Sequence, residues 1–156
     1  MPAKPKPKTK AALRPPVINP YLAFNGDCRQ AFEFYAKVLG GKIVMMMTYG
    51  DMPAGSGPPP SPATKNRIMH ARMMLGDLPL MGGDAPPDHT HKVQGYSVSI
   101  GVGEPKEADR IFKALSEGGT IMMPIAETFW AHRFGMLTDR YGTPWMVNCE
   151  KSGPTS

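Results

Sequence analysis

The sequence predicts an α+β fold of two βαβββ modules, whose mixed four-stranded sheets curl to form a cavity. Three observations carry this expectation. The segment AFEFYAKVLGGKIVMM, beginning at Ala31, can be laid on ADRIFKALSEGGTIMM, beginning at Ala108, at a constant offset of 77. Both copies carry a helical stripe: Ala31, Phe34, Tyr35, Val38 and Leu39 in the first, and Ala108, Ile111, Phe112 and Leu115 in the second. Each helix is preceded by one strand-like run and followed by three, the pattern of an internal duplication.

The elements follow in order. Residues 17–24, VINPYLAF, form the first strand. The first helix enters through Asp27 and Gln30, spaced as a capping box, and stops at Gly40-Gly41. Strands are then expected over 42–50, 67–75 and 78–82. The second module begins with GYSVSIGV (95–102), and its helix starts at Pro105, which suits a first helical turn. Gly118-Gly119 ends that helix, and strands follow over 119–126, 131–139 and 144–149. Two connections are long. The run PAGSGPPPSPAT (53–64) continues neither a helix nor a central strand, and GDAPPDHTHKVQ (83–94) bridges the modules.

At 156 residues and 41% hydrophobic content, the chain suits one core. Its net charge of +5 equals the five basic residues of the segment 1–16, and the rest of the chain balances 13 basic against 13 acidic side chains. Alternating Lys and Pro read as a flexible basic arm over 1–16, with an anionic partner for that arm as the minor alternative. The domain spans 17–150, made of modules 17–83 and 95–150, with a tail at 151–156. A neutral body argues against a nucleic-acid partner. No apolar run reaches about 18 residues and no signal-like stretch opens the chain, so the expectation is a soluble cytoplasmic protein with no membrane partner. Cys28 and Cys149 suggest no disulfide framework.

The duplicated unit, together with YGDMP (49–53), MHARMMLGDLPLMGGD (69–84) and ETFWAHRFGMLTDRYGTPWMVNCE (127–150), resembles the PhnB-like branch of the vicinal oxygen chelate superfamily. That superfamily has the glyoxalase, bleomycin-resistance and extradiol dioxygenase fold, and this branch is also labelled 3-demethylubiquinone methyltransferase-like. The resemblance covers roughly 17–150. It implies a single glyoxalase-like domain assembled as a homodimer and, in metal-using members, a divalent ion on the concave sheet faces. The ligand positions fall at Pro20 or Tyr21, at Tyr96 or Ser97, at Met81 or Pro79, and at Asn148. None is a strong ligand, so the metal set is expected to be none and the cofactor none. A divalent metal stays open as an alternative, through His89 and His91 or through convergence of His70, Glu127 and His132.

Candidate catalytic residues are Glu127, His132 and His70. A carboxylate partly buried beside Phe129 and Trp130 would titrate high unless Arg133 or Arg140 pairs with it, in which case Glu127 is an ordinary ion-pair member. Strand alternation groups His132 with Phe134, Met136 and Thr138, and His70 with Arg72 and Met74. His132 therefore either faces the pocket or bonds a backbone carbonyl. Candidate ligand-binding residues are Tyr49, Met52, Arg72, Phe129, Trp130, Trp145 and Asn148. Core packing explains the tryptophans as well as a pocket wall does, and turn chemistry explains the YGD stretch. The 13 methionines fall in pairs, so that alternation puts some on each face, as core filling or as a soft apolar wall.

Two functions compete on these residues. One is a small-molecule-binding protein of unassigned substrate, without the usual metal site. The alternative is a lyase-, isomerase- or dioxygenase-like enzyme using Glu127 and a histidine. Methyl transfer is disfavoured because GVGEP (101–105) only partly matches a nucleotide-binding turn. A phosphonate would need an anion site, for which Arg72, Arg133 and His70 are the available groups.

Overall fold

The computed structural model describes residues 14–89 and 92–151. Most of the expected basic arm, His91 of the HTH stretch and most of the tail lie outside them. Strand β1 (Tyr21–Phe24) leads to helix α1 (Cys28–Leu39), then to β2 (Lys42–Thr48), β3 (Ile68–Leu75) and β4 (Leu78–Asp84). The second module repeats this order with β5 (Val98–Gly101), α2 (Pro105–Ser116), β6 (Thr120–Ala126), β7 (Ala131–Thr138) and β8 (Pro144–Glu150). The sheets have strand orders β1-β4-β3-β2 and β5-β8-β7-β6. In each, the first strand pairs parallel with the last and the other pairs are antiparallel. This is the expected α+β fold of two βαβββ units, and the sheets do not close into a barrel.

Each helix lies on one face of its sheet. The buried stripe of α1 is Cys28, Ala31, Phe32, Tyr35 and Val38, so Phe32 takes the central place expected of Phe34. Phe34 sits half-buried at the margin, under the Arg140 guanidinium at 4.6 Å. The stripe of α2 is the expected one, Ala108, Ile111, Phe112 and Leu115. Both sheets admit the helical phenylalanine through a glycine. A Cβ at Gly82 would stand 2.8 Å from the Phe32 ring, and one at Gly135 would stand 2.6 Å from the Phe112 ring.

The N-terminus of α1 departs from the expected capping box. Asp27 is the N-cap residue but makes no side-chain cap bond. The buried carboxylate of Asp84, from the end of β4, replaces it. Its Oδ1 accepts from the backbone N–H of Gly26 (2.8 Å) and Cys28 (3.1 Å), and its Oδ2 from that of Ile68 (2.7 Å). One side chain thus ties the helix start to both β3 and β4. Burial, followed by the Asp84 charge, pushes the adjacent Cys28 thiol far up. A capping box does form elsewhere, between Thr48 and Asp51 at the 3-10 turn Tyr49–Asp51.

The modules join on the helix side. The Tyr35 hydroxyl of α1 donates to Asp139 Oδ2 (2.5 Å) and lies 2.9 Å from Thr143 Oγ1, both in the β7–β8 turn. Trp145 Nε1 donates to the same Asp139 Oδ2 at 2.8 Å, and its ring meets Tyr35 edge-on. Arg110 of α2 donates to the Val38 carbonyl of α1 (2.9 Å). One core therefore draws on both modules, and it leaves the sheet faces opposite the helices open. Large apolar side chains are exposed there, including Tyr21 (51%), Met45 (44%) and Met123 (45%).

Candidate functional site

The open face of the first sheet is set by strand alternation. Leu22, Phe24, Ala71, Met73 and Leu80 are buried on the helix side. Tyr21, His70, Arg72, Met74 and Met81 therefore point the other way. Tyr21 and His70 stack with ring centroids 5.8 Å apart, which places both on this face. His70 and Arg72 thus share the open face, as their spacing predicts. Burial pushes the Tyr21 phenol up from its ordinary value, with the Cys28 and Tyr49 charges adding less.

In the second sheet, Trp145, Val147 and Cys149 are buried on the helix side, so Met146, Asn148 and Glu150 occupy the open face. Phe134 and Met136 join them, since Phe134 pairs with Asn148 and Met136 with Met146. Asn148 Nδ2 donates to Glu150 Oε1 (3.3 Å), while its Oδ1 is buried without a partner among the described residues. Both open faces are methionine-rich: Met45, Met47, Met74 and Met81 on the first, and Met123, Met136 and Met146 on the second.

Several expected site residues take other places. Trp145 is not a pocket wall, because its parity in β8 turns it into the core, where it is 1% exposed. The Tyr49 hydroxyl donates to the Asp84 carbonyl at 2.8 Å and fastens the base of the long loop. That base is a neck, in which Tyr49 N–H donates to the Arg67 carbonyl and Gly50 N–H to the Lys65 carbonyl. Met52 is half-buried where the loop leaves the neck, in a shallow concavity with Pro53 and Pro58–Pro60. It therefore lies within its own loop and off the open sheet faces.

The ETFWAHRFG stretch splits. Trp130 meets the Phe134 ring edge-on at 5.2 Å and Phe129 at 4.9 Å, so it borders the open face of the second sheet. Phe129 is 90% exposed. Glu127 is exposed and pairs with Lys151 Nζ at 2.7 Å, in place of Arg133 or Arg140. Arg133 is itself engaged by Asp109 of α2 (2.6 Å). The Lys151 contact holds the Glu127 carboxyl below the usual carboxylate range, with His132 adding a smaller effect. A general base working near neutrality needs the opposite shift, and the partial burial that would supply it is absent. His132 is exposed at a register shift between Ala131 and Arg133, where simple alternation fails.

The divalent ion implied by the resemblance finds a poor donor set. β1 begins at Tyr21, which pairs with Met81, while Asn148 pairs with Gly101. Tyr96 and Ser97 lie just ahead of β5. A phenol, a thioether, a hydroxyl and a carboxamide make a weak donor set for a divalent Zn, Ni, Mn or Fe ion. Among the described residues, no three His, Cys, Asp or Glu side chains are grouped to hold a metal. His89 is exposed in the 3-10 turn Pro87–His89.

Comparison with known proteins agrees with this architecture. A family model described as 3-demethylubiquinone-9 3-methyltransferase matches residues 16–148. The chain is 33% identical to protein YjdN of Escherichia coli K12 over 144 residues, covering 88% of this chain and 98% of that one. Among solved structures, protein PA1353 from Pseudomonas aeruginosa shares 46% identity at a TM-score of 0.76, over 85% of this chain and 96% of that one. The PhnB protein from Bacillus cereus shares 24% identity at a TM-score of 0.67, over 85% of this chain and 98% of that one. Glyoxalase/bleomycin-resistance and fosfomycin-resistance proteins share the fold at still lower identity.

Proposed function

Because the chain belongs to the family described as 3-demethylubiquinone-9 3-methyltransferase, the PhnB-like branch of the vicinal oxygen chelate superfamily, we propose that it is a small-molecule-binding protein whose ligand lies on the open sheet faces, without a resident metal. One observation carries this reading: seven methionines and several aromatic rings line sheet faces that the chain's own core leaves uncovered. Thioether side chains adapt to ligands of varied shape, and an uncovered apolar face invites a second surface. A second copy of the chain is that surface, its open face completing a cavity that one chain leaves unclosed. The cavity would have donor side chains, Tyr21, His70 and Arg72, on the first-module wall. Acceptors, Asn148 Oδ1 and Glu150, would stand on the second-module wall.

Fold likeness and the family description do not by themselves support methyl transfer here, since a shared fold hosts many chemistries. Nor does an enzyme built on Glu127 gain from its lowered pKa and exposed position.

Mass spectrometry of small molecules released from protein purified without chelators, with elemental analysis of the same sample, tests the proposal. The expected result is a defined organic molecule approaching stoichiometry, with far less than one equivalent of any transition metal. Stoichiometric metal would overturn the metal-free part. Absence of any released molecule, together with no uptake of an apolar fluorophore, would overturn the binding part.

A further inference from the structure

The small-molecule reading leaves the chemistry of the ligand unspecified, and the polar groups of the first sheet narrow it. One row crosses four strands at a single level: Tyr21 pairs with Met81, Met81 with Arg72, and Arg72 with Met45. Neighbouring strands are about 4.8 Å apart, so these side chains form one continuous strip. One step along the face, His70 pairs with Met47. Tyr21 reaches over to stack on His70 because Gly83 lies between them, and a Cβ at Gly83 would stand 2.9 Å from the Tyr21 hydroxyl.

The polar groups of this strip are a guanidinium, an imidazole and a phenol, all able to donate hydrogen bonds. The nearest acid along β4, Asp84, is 3% exposed and directs both oxygens at the backbone of Gly26, Cys28 and Ile68. Arg72 is exposed and, among the described residues, has no ion pair or side-chain hydrogen bond. Arg110, Arg133 and Arg140 each have an acidic partner. Flanked in register by Met45 and Met81, Arg72 can present a planar fork of donors beside apolar surface, the arrangement that suits an oxyanion joined to an apolar body.

We propose that the ligand of the first-module face is an amphipathic oxyanion, a carboxylate or phosphoryl group on an apolar body. Its charged oxygens meet Arg72 and His70, and its body lies on Met45, Met47 and Met81. This rests on the small-molecule reading above and adds the ligand class to it.

Titration of the full chain with octanoate, octyl phosphate and the neutral octanamide, read by ¹H–¹⁵N NMR at low salt, tests the inference. At least one anion should bind about tenfold or more tighter than octanamide, with the largest shifts at Arg72 and its strand neighbours. The tighter anion identifies the headgroup. Arg72→Gln should erase that preference, weakening the anion about tenfold or more relative to octanamide, and Arg72→Lys should restore part of it. Equal binding of octanamide and both anions would overturn the oxyanion site while leaving the small-molecule reading intact. Failure of all three to bind would overturn the oxyanion site, while the small-molecule reading would stand or fall on the released-molecule and fluorophore measurements above. A preference surviving in Arg72→Gln would also overturn the site. So would a variant that changes the oligomeric state in place of ligand preference, since that would assign Arg72 to a contact between copies.

Discussion

Glu127 and Arg72 show how far a single contact decides the role of a charged side chain. Glu127 lies in the most chemically loaded stretch of the sequence, yet Lys151 at 2.7 Å turns it into an exposed ion-pair partner. Its carboxyl is depressed, so whatever stability the pair contributes is present above the titration of an unfolded carboxylate. That contribution is lost as pH falls through the lower folded value. Exposed pairs contribute little, so Glu127→Gln should leave both the melting temperature and ligand uptake at neutral pH unchanged within error. Thermal denaturation and a binding titration check this, and abolished uptake in the variant would return Glu127 to the site. Arg72 is the contrast, a candidate ligand-binding residue by its place in the strand that has no acidic partner among the described residues. Parity in β3 made its face legible. Parity also shows why Trp145 and Asn148, three residues apart in one strand, cannot share a face. His132 was not legible, because the register shift beside it breaks the alternation on which the reading depended.

At the scale of elements, helix α1 depends on a residue that its own sequence neighbourhood does not reveal. The Asp27 and Gln30 spacing suggests a local cap, but the first N–H groups of the helix turn to Asp84, 56 residues beyond Cys28. Only the parallel pairing of β1 with β4 brings that carboxylate beside the helix start. Asp84→Ala would leave three backbone donors without their acceptor, at about 1–3 kcal/mol for each that stays buried and unsatisfied. With Cys28 and Ile68 the buried donors, the expected loss is about 2–6 kcal/mol in chemical denaturation, with α1 and the β3 entry losing amide-exchange protection first. A loss below about 1 kcal/mol would show that water or Asp27 replaces the carboxylate. The strands and helix α2, by contrast, follow closely from hydrophobic period and glycine stops, because those signals are local. The choice between Phe32 and Phe34 for the centre of α1 was not, since it depends on Gly82 opening space in the sheet beneath.

Across the whole molecule, the two βαβββ units give two sheets joined through their helices. Tyr35, Asp139, Thr143 and Trp145 make the buried polar link between the modules. Among the described residues, the same arrangement that builds one core leaves two apolar faces uncovered. The sequence shows the repeat but not the side on which its copies meet, because that side is fixed by contacts 104 and 108 residues apart. Among the described residues, no helix is long and apolar enough to cross a membrane. The proposed second copy, with ligand held between donor and acceptor walls, would cover the two faces.

The most direct test is sedimentation equilibrium of the native protein beside Met45→Glu and Met123→Glu, each placing a charge on an open face without touching the core. The account predicts twice the 17.0 kDa chain mass for the native protein, and folded species of single-chain mass that no longer take up ligand for the variants. A native protein of single-chain mass, or variants that remain paired and bind as before, would contradict it.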